Sequence, residues 1–130
     1  MGVTRASFLY CGDAANAGEK YHANYLSVPG MGISHLSGST FTIAHCIGVA
    51  GTLKHCVVIS ESGDATTDLK VHVSTEAGST SSETVTLDAQ GKANETLGFG
   101  AVASDDKMYI EYDAGTAPGE TVIVITTEES

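Results

Sequence analysis

The sequence predicts an all-β fold, a single jelly-roll-like sandwich of two β-sheets with an irregular N-terminal arm. Short segments rich in Val, Ile and Thr recur along the chain, and Gly, Asp or Pro turn signals separate them about every ten residues. No segment has the apolar period of an amphipathic helix. This spacing is typical of sandwiches and barrels, with an immunoglobulin-like sandwich as the second choice.

Residues 1–39 differ from the rest of the chain and are predicted to form the arm. Glycines interrupt this segment repeatedly, and Pro29 with Gly30 makes a turn dipeptide. We expect the arm to be ordered mainly by what it contacts, because it has too few apolar residues to fold alone. Residues 40–130 are predicted to form the sandwich.

The first predicted strands follow residue 40. Residues 41–47 and 53–60 are apolar and β-branched, and residues 49–52 form the turn between them. Residues 69–73 alternate between apolar and polar side chains, which is typical of a strand with one face in water.

The later strands are shorter and more polar. Residues 78–82 are predicted as a polar loop, and residues 84–88 as an alternating strand. Residues 97–99 are predicted as a short strand, and residues 108–113 and 121–127 as the last two strands. Several connections are too long for two-residue hairpins, so strands are expected to cross between the sheets.

The charge of the chain excludes some partners. Its 130 residues carry 16 acidic and 6 basic side chains, a formal net charge of −10. Such a surface repels phosphate backbones and anionic lipids, so we expect no nucleic-acid partner and no membrane partner. The longest apolar runs are too short to span a bilayer, and no signal peptide is recognised at the N-terminus. A basic protein partner fits this charge.

Two His-Cys dipeptides raise the question of a metal site. His45-Cys46 and His55-Cys56 supply ligand types that suit tetrahedral zinc. Both dipeptides fall inside predicted strands, where adjacent side chains point to opposite faces, so the four groups cannot share one ion. His45, His55 and His72 remain as candidate ligands, but we predict no metal and no cofactor, with the cysteines packed as small apolar side chains.

No pattern indicates an enzyme. The chain has no nucleophile elbow, zinc-protease motif, phosphate loop or dinucleotide fingerprint. Its cysteines number three, a low and odd count that fits a reducing cytosol better than a disulfide framework. Acidic pairs beside turns could hold calcium, but they lack the alternating oxygen spacing of a dedicated site and are interpreted as solvated charges. These pairs are Asp64 with Asp68, Asp105 with Asp106, and Glu111 with Asp113.

The order of elements in residues 41–127 resembles that of small bacteriophage virion proteins of the capsid decoration (cement) and head-fibre type. The sequence VAGTL at 49–53 opens one strand, and GDATT at 63–67 leads into the next. The sequence SDDKMYIEYD at 104–113 resembles the group's penultimate strand, and TVIVI at 121–125 resembles its last. This chain has Ser-Asp where the group has Gly-Asp before the penultimate strand.

The resemblance implies a structural virion protein that binds the major capsid protein and stabilises the phage head. Such proteins are typically trimers of β-sandwiches, so it also implies a homotrimer on the capsid surface, made in the bacterial host cytoplasm. The alternative is a receptor- or glycan-binding module at a fibre tip, which would need exposed aromatic side chains. Tyr109 and Tyr112 fall on a predicted strand, which weakens that alternative. A metal-dependent enzyme and a bacterial adhesin are further rivals.

Overall fold

The computed structural model describes residues 3–14, 16–18, 20–21, 45–46, 50–75 and 79–129, with side chains for 16–18, 50–75 and 79–128. These ranges contain ten β-strands, and no helix in them is long and apolar enough to cross a membrane. In chain order the strands are β1 Val3–Ala14, β2 Lys20–Tyr21, β3 His45–Cys46, β4 Gly51–Ser60, β5 Asp68–Ser74, β6 Thr80–Thr86, β7 Lys92–Thr96, β8 Ala101–Val102, β9 Lys107–Ala114 and β10 Gly119–Glu129.

The strands form two antiparallel sheets. The first sheet has the order β1-β10-β4-β7, with β8 also paired to β4. The second sheet has the order β2-β9-β5-β6, with β3 also paired to β9. The chain passes from one sheet to the other after β1, β3, β4, β6, β8 and β9, while β5 and β6 form a hairpin. This is the strand order of a jelly roll, so the predicted two-sheet all-β sandwich is confirmed.

Strand β1 lies in the range that the sequence predicts as an arm. In the structure it pairs with β10 over its whole length, from Val3 opposite Glu129 to Ala14 opposite Gly119. Strand β10 therefore pairs with β1 on one side and with β4 on the other. The pairing with β1 joins segments far apart in the chain, so a local apolar pattern does not predict it. Strand β2 pairs with β9, and residues 22–39 of the predicted arm lie outside the described residues.

The core lies between the sheets and follows the alternation of the strands. Residues 69–73 place every second side chain in the core, as predicted for a strand with one wet face. In β4 the alternation shifts by one residue near His55, where a bulge interrupts the pairing of β4 with β10. The buried cluster comprises Leu53, Cys56, Val58, Leu69, Val71, Val73, Val85, Leu87, Leu97, Val102, Met108, Ile110, Tyr112, Ile123 and Ile125.

Three predicted boundaries are wrong. Strand β4 begins at Gly51, inside the predicted turn at 49–52. Strand β6 begins at Thr80, inside the predicted loop, and the predicted strand at 97–99 is irregular. The backbone N–H of Gly98 donates to the carboxylate of Glu83 (2.8 Å) instead of to a neighbouring strand. The strand here is β7, a polar segment that pairs with β4. Edge strands of this kind carry no apolar alternation, so the sequence pattern misses them.

Candidate functional site

The structure separates the candidate metal ligands. His55 lies exposed on the outer face of the first sheet, and His72 lies on the outer face of the second. Packed sheets are about 10 Å apart, so the core separates these two imidazoles and they cannot bind one ion. His45 in β3 lies opposite Met108 in the register, whereas His72 lies opposite Tyr109. Among the described residues, no group of three or more His, Cys, Asp or Glu is placed to hold a metal.

His72 is engaged by its own sheet. Its Nε2 lies 2.9 Å from Oε1 of Glu111 on β9, and the two side chains are only 13% and 20% exposed. The ring also stacks on Tyr109, with centroids 4.4 Å apart and planes 7° apart. These contacts account for His72 as a cross-strand structural residue on the second sheet.

Cys56 is placed as a core side chain. It is buried beside the exposed His55, so these adjacent residues point to opposite faces of β4. Burial, and then the negative charge of Glu95, raises the pKa of the Cys56 thiol to about 12. A thiol with this pKa is a thiolate only to a negligible extent near neutral pH, so it is a poor nucleophile and metal ligand. The side chains of Cys11 and Cys46 lie outside the described part of the chain.

Asp64, one of the predicted acidic positions, organises a loop junction. Its Oδ1 accepts hydrogen bonds from the backbone N–H of Thr66 (2.9 Å) and the hydroxyl of Thr66 (2.7 Å). Its Oδ2 accepts from the hydroxyl of Thr116 (2.7 Å), which lies between β9 and β10. These hydrogen bonds, that of Thr116 foremost, lower the pKa of Asp64 to about 2. The carboxylate thereby ties together two connections that each cross from one sheet to the other.

Most of the other acidic positions also have protein partners. Asp68 accepts from the hydroxyl of Thr86 (2.7 Å), and Asp106 accepts from the backbone N–H of Ala103 (2.8 Å). Asp113 pairs with Lys70 across β9 and β5 at 3.4 Å. The carboxylates are therefore used to close turns and join strands.

The two tyrosines that bear on glycan binding are both buried. Tyr109 is 7% exposed and Tyr112 is 3% exposed. The hydroxyl of Tyr112 donates to the carbonyl of Gly115 (2.6 Å). Burial, with a smaller contribution from Glu111, raises the pKa of Tyr109. Neither ring presents an open face on which a sugar could stack.

An exposed apolar surface lies on the outside of the first sheet. We call it the apolar strip, and it consists of Val57 and Ile59 on β4 and Val122 and Val124 on β10. Val122 lies opposite Ile59 and Val124 lies opposite Val57, so the four residues form two adjacent rows. Ile59 is 57% exposed, Val122 45% and Val57 36%, and they are the large exposed apolar residues of the described chain. Val124 is half-buried.

The described side chains beside the apolar strip carry both signs of charge. Asn94 of β7 lies opposite Val57, and Lys92 lies opposite Ile59. Lys54 and Glu128 form an ion pair of 3.6 Å on the same sheet, so their charges compensate. Two exposed acidic residues lie at one end of the strip: Glu61 comes two residues after Ile59, and Glu120 comes two residues before Val122.

Sequence analysis did not find the apolar strip. Its residues belong to continuous apolar runs, VVI at 57–59 and VIV at 122–124. A run of this kind does not indicate which of its side chains face the core. The exposed β-branched residues could have been found only by asking which strands have both faces apolar.

The described residues thus offer an exposed apolar surface, while His72 and several of the carboxylates take part in contacts within the sandwich. Comparisons with protein-family models, with curated proteins and with solved structures find no match to this chain.

Proposed function

We propose that this chain is a structural virion protein, a capsid decoration (cement) or head-fibre subunit that binds the major capsid protein of a phage head. The observation that carries the proposal is the apolar strip, which lies on the outside of a sandwich whose described core is a cluster of buried apolar side chains. Exposed apolar surface of this kind marks a contact with another protein. The resemblance of residues 41–127 to small phage virion proteins supports the same function.

The fold is compatible with this function. Jelly rolls occur both in viral capsid proteins and in lectins. The fold is therefore compatible with a virion structural protein and with a glycan-binding module, and it does not distinguish between them. The net charge of −10 favours a basic partner surface over nucleic acid or an anionic membrane. A shell protein that presents basic residues on the outside of the head is such a partner.

The proposed mechanism is adhesion without chemistry. A homotrimer on the virion surface presents the same contact three times, so several weak contacts act at a high effective concentration. Bridging neighbouring shell subunits resists their separation and stabilises the head. Symmetry requires only one kind of contact to be encoded in the sequence.

The test is sedimentation of the purified chain with phage heads that lack it. We expect saturable binding to expanded heads, and a raised temperature for the release of packaged DNA from decorated heads. Because a basic partner attracts an acidic chain, binding should weaken as salt rises. Heads that neither bind the chain nor gain stability from it would contradict the proposed function.

A second experiment concerns residues 22–39, the part of the predicted arm (residues 1–39) that follows β2. Replacing residues 22–39 with a Gly-Ser linker of equal length retains β1 and β2, which belong to the sheets. We expect the variant to keep the far-ultraviolet spectrum of the sandwich and to bind heads more weakly, since the arm is proposed to contact the shell. Unchanged binding would remove the arm from the proposal. A linker of equal length in place of residues 76–78 serves as the control.

The alternative function, a receptor- or glycan-binding module at a fibre tip, has less support because Tyr109 and Tyr112 are buried. Specific retention on a glycan array, together with no binding to heads, would favour it over decoration.

A further inference from the structure

We propose that residues 22–44 are an insertion into a single edge strand of the second sheet, and that the sandwich does not need them in order to fold. The two halves of that strand are β2 and β3, each of which is two residues long. The insertion goes beyond the proposed function, because it concerns the architecture of the chain itself. Its use as the contact with the shell rests on the proposed function and deepens it.

Strands β2 and β3 lie in line along one side of β9. Strand β2 pairs antiparallel with Ile110 and Glu111, and β3 pairs antiparallel with Lys107 and Met108. Strand β5 pairs with the other side of β9 over the same residues. Strands β2 and β3 therefore run in the same direction on the same edge, and only Tyr109 lies between their partners.

The chain leaves and returns at one position of this edge. An uninterrupted strand would pass from β2 to β3 through one residue opposite Tyr109, whereas this chain places residues 22–44 there. Strands advance about 3.3 Å per residue, so Tyr21 and His45 lie roughly 7 Å apart along β9. One extended residue between them spans that distance. The residues of the insertion are therefore not required to connect the two halves.

The backbone pairing of the edge favours one continuous strand. Each half alone pairs through two residues, which is shorter than the usual strand of a globular protein. The two halves joined across Tyr109 make a strand of ordinary length. The contact with β9 also extends before β2, where the backbone N–H of Gly18 donates to the carbonyl of Tyr112 (2.7 Å). Closing a loop costs conformational entropy that grows with its length, so a shorter insertion favours the pairing.

The insertion differs in composition from the rest of the chain. Residues 22–44 contain no Asp, Glu, Lys or Arg, although the chain carries 16 acidic and 6 basic side chains. The large apolar residues of the insertion are Tyr25, Leu26, Val28, Met31, Ile33, Leu36, Phe41 and Ile43. The centre of a protein interface is similarly depleted of charged residues and enriched in aromatic residues and Met. The partner that fits this composition is an uncharged, apolar patch on a protein surface.

The insertion separates contact with a partner from folding. Connections of this length are uncommon, and function is concentrated in the connections that a rigid scaffold presents. Apolar contacts do not depend on charge, whereas the attraction between an acidic chain and a basic shell is screened by sodium chloride. The part of the binding to heads that persists at high salt is therefore assigned to the insertion.

The test is a pair of deletion variants in which one glycine or three glycines replace residues 22–44 and join β2 to β3. We expect both variants to keep the far-ultraviolet circular dichroism of the sandwich and to melt no more than about 5 °C below the wild type. The variant with three glycines remains informative if a single glycine strains the joined strand.

The matched control replaces residues 61–67, which cross from β4 to β5, with one glycine. Packed sheets are about 10 Å apart, so one residue does not span this crossing, and the control is expected not to fold. Unfolding or a larger loss of melting temperature in both deletion variants would overturn the inference. Folding of the control would overturn it as well, because tolerance of a deletion would then not report on strands that lie in line.

Binding to heads is measured separately, by sedimentation at 0.1 M and 1 M sodium chloride. We expect the wild type to keep binding at 1 M, and the folded deletion variants to bind about tenfold more weakly there. Unchanged binding of those variants would overturn the use of the insertion as the shell contact. A wild type that binds no heads contradicts the proposed function, and the architecture of the insertion is then judged by the folding of the deletion variants.

Discussion

The two outer faces of the sandwich have the same architecture and opposite chemistry. On the second sheet, Lys70 and His72 alternate along β5 and each pairs with a carboxylate of β9. On the first sheet, the equivalent central strands β4 and β10 present the apolar strip. Both faces lie outside the core, but ion pairs join the central strands of the second sheet, whereas apolar side chains lie at the centre of the first.

The outer face of a sheet is therefore not polar merely because it lies outside the core. Polar side chains on the second sheet satisfy each other across strands, which stabilises that face in the isolated molecule. On the first sheet, Val57, Ile59 and Val122 are exposed apolar side chains, and the proposed contact with another protein would cover them. The following predictions test how sharply the two faces differ.

The largest expected effect compares the two sides of β10. Ile125→Ala removes a fully buried side chain and should lower the free energy of unfolding by about 2–5 kcal/mol, because it leaves a cavity in the core. Val122→Ala on the outer face should cost less than about 1 kcal/mol in the monomer. Urea unfolding at low protein concentration measures both values. Equal losses would mean that Val122 is buried within the monomer and that the strip is not a free surface.

A smaller effect is expected on the second sheet. A double-mutant cycle with His72→Ala and Glu111→Ala should give a coupling of about 1 kcal/mol, because the 2.9 Å contact is partly shielded from water. The cycle for Lys70 and Asp113, at 3.4 Å and with both side chains 33% exposed, should give about 0.2–0.5 kcal/mol. If the pair of Lys70 and Asp113 is the stronger one, shielding of His72 is not what stabilises this face.

The smallest effect concerns the junction that joins the two sheets and depends on pH. The pKa of Asp64 is about 2 in the folded chain and about 3.9 in an unfolded chain, so its ionised form stabilises the fold above pH 4. This contribution is lost as pH falls from about 4 to about 2. Asp64→Asn should remove that part of the acid dependence of unfolding.

The control for this junction is Thr116→Val, which removes the hydrogen bond that contributes most to the lowered pKa of Asp64. A carboxyl resonance of Asp64 that titrates at higher pH in this variant would support the assignment. The same titration in both proteins would show that Thr116 does not hold the carboxylate.

Much of the inward side of the sandwich could be predicted from the sequence. Leu69, Val71 and Val73 alternate with polar residues, and the structure places all three in the core. The turns that separate the strands were likewise recognisable, because Gly and Asp favour turns through local geometry. The opposite orientation of His55 and Cys56 followed from strand geometry alone.

Less of the candidate site could be predicted. Sequence reasoning selected His45, His55 and His72 because their chemistry is conspicuous, but the described contacts use His72 within the second sheet. The apolar strip was missed because apolar residues are expected in any strand. The type of a residue indicates which chemistry its side chain could perform. The exposure of that side chain depends on which other residues pack against it.

The sequence by itself determined that this chain is all-β and which side chains of the alternating strands face the core. These properties depend on neighbours within a few residues, such as the period of apolar positions and the turn residues between them. Only the tertiary structure decided that Val3–Ala14 pairs with β10, that the polar β7 pairs with β4, and that the apolar strip faces outward. Those outcomes depend on pairing between segments far apart in the chain. Backbone hydrogen bonds between such segments can form with almost any residue type, so local composition does not predict them.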